Sequence, residues 1–202
     1  SKTPKNTVVA YEQESGFGVD LDRFRFWLIY RTVWWALGCL RMASFWRSGD
    51  DRMIERVVIS RRTSEQELDL LLLLEEDAPE EERARPVPPI EKRPEPQGEA
   101  SMGEIASAIS EWLATIKDRM EGHDRFQLAV ARNALGMLAR GDQIVSECEN
   151  GHLAQQLLRG ERSLRDPGVL AALRRGALDK LAADVPKYPM LERARTKWTG
   201  ED

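Results

Sequence analysis

The feature that most constrains this chain is residues 78–100, which read APEEERARPVPPIEKRPEPQGEA and hold six of its ten prolines. A stretch with so few large apolar side chains cannot bury enough surface to offset the entropy of ordering it. It reads as an extended, partly polyproline spacer, stiffer than a glycine–serine tether. The 202-residue chain therefore divides into residues 1–77, a linker at 78–100, and residues 101–202.

Both flanking segments look helical. Residues 4–15 carry Val8, Val9 and Tyr11, with Ser1 or Thr3 as candidate N-caps and Gly16 as a stop. Asp20 then caps a long helix running to about residue 47, ended by Ser48-Gly49. Its apolar residues, among them Phe24, Phe26, Trp27, Val33, Trp34, Trp35 and Leu40, fall on every side. A helix that is apolar all round belongs inside a larger body, and two neighbouring helices are a thin coat for it. A third helix is expected over residues 52–76, with Ile54, Val57, Val58, Leu68, Leu71 and Leu72 as its stripe.

Beyond the linker, residues 102–120 carry Ile105, Ile109, Trp112, Leu113 and Ile116 at helical spacing. A helix over 124–150, a short turn of helix at 153–159, and a helix opened by Asp166-Pro167 follow. Pro186 and Pro189 end the last of these. The pattern predicts a separate small bundle of about four helices. No segment alternates as a strand would, so the fold class expected is all-α.

Composition narrows function by exclusion. With 42% apolar and 32% charged residues the chain is too apolar to be disordered, and its net charge of -4 argues against a nucleic-acid partner. Two cysteines, Cys39 and Cys148, make no disulfide framework and point to a reducing, cytoplasmic compartment. Residues 1–10 lack a signal-like apolar run. Residues 24–46 are interrupted by Arg25, Arg31 and Arg41, leaving an uncharged run at 32–40. That is about half of the ~20 residues a membrane span needs. With Ser1 at its start and Met42 as its first methionine, the chain reads as a processed product, an excised piece or the tail of a longer frame.

No complete catalytic set is legible. His123 and His152 have no partners at metal-ligand spacing, so no metal site is expected; His123 reads as a loop residue and His152 as a surface one. There is no Walker loop and no nucleophile elbow. Cys39 and Cys148 look buried and inert. The polar island Arg61, Arg62, Glu65, Glu67 and Asp69 reads first as surface ion pairing, with Arg61 reaching Glu65 at i,i+4. The sharper alternative is that the island faces a polar cleft. Trp34 and Trp35 pose the same choice between core packing and a substrate-stacking wall.

Four stretches then form a pattern: V-x-Y-E-x-x-S-G at 9–16, D-x-D-R-F-R-F-W at 20–27, W-A-L-G-C-L at 35–40, and E-R-V-V-I-S-R-R-T-S-E-Q-E-L-D-L-L at 55–71. In order and spacing they resemble the C-terminal helices of the aminoglycoside-phosphotransferase and choline-kinase-like group, especially its acyl-CoA-dehydrogenase-linked branch. The second segment is similar to an uncharacterised bacterial helical domain found beside such kinases, through F-x-x-x-V-A-R-N-A-L at 126–135, D-P-x-x-L-x-x-L-R at 166–174 and P-K-Y at 186–188. The chain departs from the pattern at Arg31, Trp34 and Val185, where glycine, a basic residue and asparagine are usual.

The resemblance implies the helical C-lobe part of a kinase-like fold, plus that separate bundle. It also implies an ATP- and magnesium-dependent transfer to a hydroxyl acceptor in a complete enzyme. The phosphate-transferring H-x-D-x-x-x-x-N loop of such enzymes does not occur in residues 1–202. No catalytic residue is therefore assigned, and no cofactor is expected on this chain itself. Trp35, Arg61 and Arg62 are the candidate substrate-binding residues. The partner implied is a kinase core, or another protein, covering the helix at 20–47. The alternative is a non-catalytic interaction or regulatory protein derived from a kinase remnant.

Overall fold

A computed structural model describes residues 4–95, 97–144 and 150–200. Among these it is all-α. The helices are α1 (Pro4–Ser15), α2 (Leu21–Ser48), α3 (Ile54–Ser60), α4 (Thr63–Leu74), α5 (Glu80–Arg83), α6 (Met102–Thr115), α7 (Gly122–Asp142), α8 (Asn150–Leu158), α9 (Val169–Asp184) and α10 (Pro189–Thr199). The expected caps Ser1 and Thr3, together with Val145 and Cys148, lie outside the described residues. No described helix is long and apolar enough to cross a membrane.

Local chemistry accounts for the boundaries. Asp20 caps α2 by accepting hydrogen bonds from the backbone N–H groups of Asp22 and Arg23. Gly49, at φ 85°, ends α2 in a left-handed conformation that a side chain would strain. Ser101 and Glu104 form a reciprocal capping box on α6. Gly103 must be glycine, because a Cβ there would stand 2.8 Å from Asp142 Oδ2. The Gly103 N–H donates to Asp142 Oδ2 at 3.0 Å, which seats the start of α6 against the end of α7.

The helix expected over 52–76 is broken. Ser60, Thr63 and Ser64 each turn a hydroxyl onto the carbonyl three residues back. The backbone at 61–65 likewise closes i→i−3 bonds. Such bonds weaken and bend a helix, though Ser44 makes one inside the continuous α2. The outcome is two helices, α3 and α4, with Arg61 and Arg62 at the corner between them.

Three other expectations need correcting. The helix expected to run to residue 150 ends at Asp142, where the linker intervenes: Arg93 N–H donates to the Gln143 carbonyl, and Lys92 bridges Ile144. Asp166 does not cap α9. It closes the preceding turn on Ser163, and Gly168, at φ 79°, precedes the helix. His123 lies in the first turn of α7, with Nε2 3.3 Å from Gln127 Nε2, and not in a loop.

The largest correction concerns the second bundle, which is not separate. One buried cluster joins Leu68 of α4 to Ala177, Leu178 and Leu181 of α9 and to Leu191, Ala194 and Trp198 of α10. Helix α4 is apolar enough to need a second covering surface besides α2, and α9 with α10 supplies it. The predicted linker begins as part of the fold, with residues 80–83 forming α5 and with Ala78 and Glu82 buried.

Polar pairing reinforces that junction. Glu75, at 2% exposure, accepts from Arg174 Nη2 at 2.5 Å, Trp198 Nε1 at 2.7 Å and Lys197 Nζ. Burial alone would raise its pKa, but these three donors and the Arg174 charge outweigh that and hold it below the usual carboxylate range. Glu82 reaches across to accept the Gly168 N–H at 2.8 Å, at the start of α9. Its pKa falls to about 2, chiefly through Arg85 and then through that N–H.

Candidate functional site

The corner between α3 and α4 places Arg61 and Arg62 where the two halves of the chain meet. Arg61 does not pair with Glu65. Its Nε and Nη2 lie 2.8 and 2.7 Å from Asp184 Oδ1, at the end of α9. Asp184 is 1% exposed, and its Oδ2 is buried without a hydrogen-bond partner. Arg62 is the residue that takes Glu65, through two bonds of 2.9 and 3.0 Å. Glu65 is itself buried.

The rest of the polar island also faces inward. Tyr188 Oη donates to Asp69 Oδ2 at 2.6 Å, and Lys180 pairs with Glu67. Burial raises the Asp69 carboxyl, opposed by that hydrogen bond. Burial and the Asp69 neighbour together push the Tyr188 phenol well above its ordinary value. The island is thus half-buried, with Glu65 covered while the Arg61, Arg62 and Glu67 side chains keep roughly half of their surface. It is a polar seam against α9 and α10.

Two clefts flank the corner and share Val58 and Met137 between them. The polar one, of about 560 Å³, is lined by Arg62, Glu65, Asn133, Arg140, Asp184 and Lys187 among others. Arg140 donates its Nε–H to the Ala183 carbonyl at 2.8 Å, and burial lowers its pKa. Four basic groups, counting Arg61, here surround two buried carboxylates. Such an arrangement can orient a polar or anionic group, but it presents no nucleophile activated by a base. The second cleft, of about 980 Å³, is mainly apolar, and Arg61 belongs to its lining.

Trp35 is not brought to either cleft. It lies on α2, 43% exposed, one turn before the buried Cys39. Burial pushes the Cys39 thiol up, consistent with an unreactive side chain. Along α2, Phe26, Trp27, Tyr30, Trp34 and Leu37 are each about half exposed or more. Phe26, Trp27 and Tyr30 touch one another, with ring centroids 5.4 to 6.4 Å apart. Arg31 stacks over Trp34 at 5.1 Å. Only one flank of α2, carrying Cys39 and Ala43, is covered; Arg25 anchors its start to the Leu73 carbonyl and Asp77.

Asp184, Arg140 and Lys187 were not legible as partners of Arg61 and Arg62. They lie about 80 to 125 positions away, and no local spacing links them. Among the described residues no group of three or more His, Cys, Asp or Glu side chains is placed to hold a metal ion. Comparison of the chain with protein-family models, with curated proteins and with solved structures finds no match.

Proposed function

We propose that this chain is the C-terminal part of an ATP-dependent small-molecule phosphotransferase acting on a hydroxyl acceptor, with residues 101–202 as a helical accessory region. The observation that carries the reading is the uncovered aromatic flank of α2, which lies within the segment that resembles the helical lobe of such kinases. A contiguous aromatic surface of this kind normally meets another protein surface, and in this reading the kinase core covers it. Trp35 and the Arg61–Arg62 corner would then border the acceptor pocket. ATP and magnesium would be held by that core, not by the residues described above.

The test is phosphoryl transfer by the protein encoded by the longest reading frame containing this chain, with labelled ATP, magnesium and a panel of hydroxyl compounds. Transfer is expected, with Trp35→Ala and Arg62→Ala raising the acceptor KM while kcat holds. A frame that adds no kinase core, with no transfer, overturns the reading.

A second reading has its own observation: Arg61 and Arg62 are engaged by Asp184 and Glu65, as befits structural residues. The chain would then be a non-catalytic interaction protein, with the same α2 flank docking a partner. A monomer in sedimentation, with no affinity for a separately encoded kinase core, would refute it.

A further inference from the structure

The apolar cleft of about 980 Å³ lies between two pairs of helices, α2 with α3 and α6 with α7. Its floor is closed by Ala43, Ala106 and Met137, all buried. Its walls are not. Met102 is 77% exposed, Leu138 64%, and Ile105 and Ile109 nearly half. Ile105 and Ile109 belong to the helical-period stripe that should face a core. The residues of α6 that are buried are instead the small ones, Gly103 and Ala106. The helix therefore seats itself on α7 through its small side chains and turns Met102, Ile105 and Ile109 toward the cleft. A strongly amphipathic helix whose apolar stripe lines a concave space is a built binding surface.

Charge narrows the occupant. The lining holds Arg47, Arg61 and Arg93 against a single acid, Asp142. Arg61 and Arg93 are about half exposed while paired with Asp184 and Asp142. A guanidinium has five N–H donors, so each keeps donors to spare. Arg47 is exposed and has no ion pair among the described residues. The volume sits at the upper end of small-molecule sites, which run to roughly 1,000 Å³. We infer that this cleft binds a small amphipathic anion, an aliphatic chain ending in a carboxylate or similar acidic group. The chain would lie along Ile105, Ile109 and Leu138, and the head group among Arg47, Arg61 and Arg93. This site does not depend on the phosphotransferase reading.

The test uses the full chain with methyl-labelled methionine and decanoate, below its micellar range, as the probe. Met102 and Met137 line the cleft, while Met53, Met120 and Met190 do not and serve as internal references. Decanoate is expected to shift the Met102 and Met137 methyl signals saturably and leave the references in place. The double variant Arg47→Gln, Arg93→Gln should weaken binding at least about tenfold, the scale of losing charge-assisted hydrogen bonds. Leu138→Asp, at an exposed position that should not disturb folding, should abolish binding. Decyltrimethylammonium should bind far more weakly than decanoate. Equal affinity for the cationic probe, shifts spread over all the methionines, or unchanged binding in the arginine variants would each overturn the proposal. So would concentration-dependent dimerisation that Leu138→Asp abolishes, which would assign the cleft to a second copy of the chain.

Discussion

Glu75 is a buried carboxylate on which two distant helices converge. It receives Arg174, Lys197 and Trp198 from two helices more than 95 positions away, and Arg174 is itself 3% exposed. Replacing it with glutamine leaves a buried guanidinium without its counter-charge. Glu75→Gln should therefore cost about 3 kcal/mol in urea denaturation, within the range for breaking a buried ion pair. Because Glu75 and Glu82 titrate below ordinary glutamate, the stability they confer is present above about pH 4.3 and disappears as pH falls through their folded values. The unfolding midpoint should stay level above that pH and fall below it, and Glu75→Gln should flatten the acid limb. Asp69 has the opposite sign. Its carboxyl is raised, so its burial opposes folding at neutral pH and the opposition eases on acidification. Asp69→Asn keeps an acceptor for the Tyr188 hydroxyl and removes the buried charge. It should leave the midpoint unchanged or slightly higher at pH 7, whereas Asp69→Leu should lower stability by about 1–3 kcal/mol through the orphaned phenol.

At the scale of elements, the Asp20 cap of α2 was legible and the interrupted helix at 52–76 was not. Asp20 before α2 is local chemistry that the chain obeys, and the Ser101–Glu104 box before α6 is equally local although the reading of the sequence did not single it out. Asp20→Ala should cost about 1 kcal/mol, read from thermal or urea unfolding. The break at Arg61–Arg62 was not legible, because serine and threonine hydroxyls bonded three residues back also occur in a continuous helix, as at Ser44 of α2. A tertiary partner sits at that corner, where Arg61 pairs with Asp184 at the end of α9. Helix α10 was missed although its signals are local, with Pro189 at its first position and Leu191, Ala194 and Trp198 at i, i+3 and i+7. Pro186 and Pro189 read as the end of one helix and concealed the start of the next.

For the whole molecule, the shared core governs behaviour. Leu68 of α4 is fully buried among residues of α9 and α10. Leu68→Ala should cost about 2–5 kcal/mol, as for other large-to-small core changes. It should lower the unfolding midpoints reported by the Met42 and Met190 methyl signals together, since one core joins both halves. Two midpoints moving independently would show that the halves fold apart. The aromatic flank of α2 behaves differently. Leu37 is 60% exposed, so Leu37→Ser should change stability by no more than about 0.5 kcal/mol, measured in the same way. Any larger consequence of that substitution would then belong to whatever surface covers the flank.

Periodicity, capping residues and the absence of alternating runs were enough to establish that this chain is helical and where most helices begin. Those properties depend on residues within a turn or two of one another. The proline-rich stretch read as a spacer, because proline removes donors and restricts the backbone wherever it occurs, yet its first residues form α5. A spacer composition does not imply separate halves, and here α4, α9 and α10 share one core. Whether α4 covers its second apolar face with α9 and α10, whether Arg61 finds Glu65 or Asp184, and whether the α6 stripe meets a core or a cleft depend on residues 30 to 125 positions apart. Their meeting is selected by the summed burial of several helices at once, a quantity that no local window of the sequence contains.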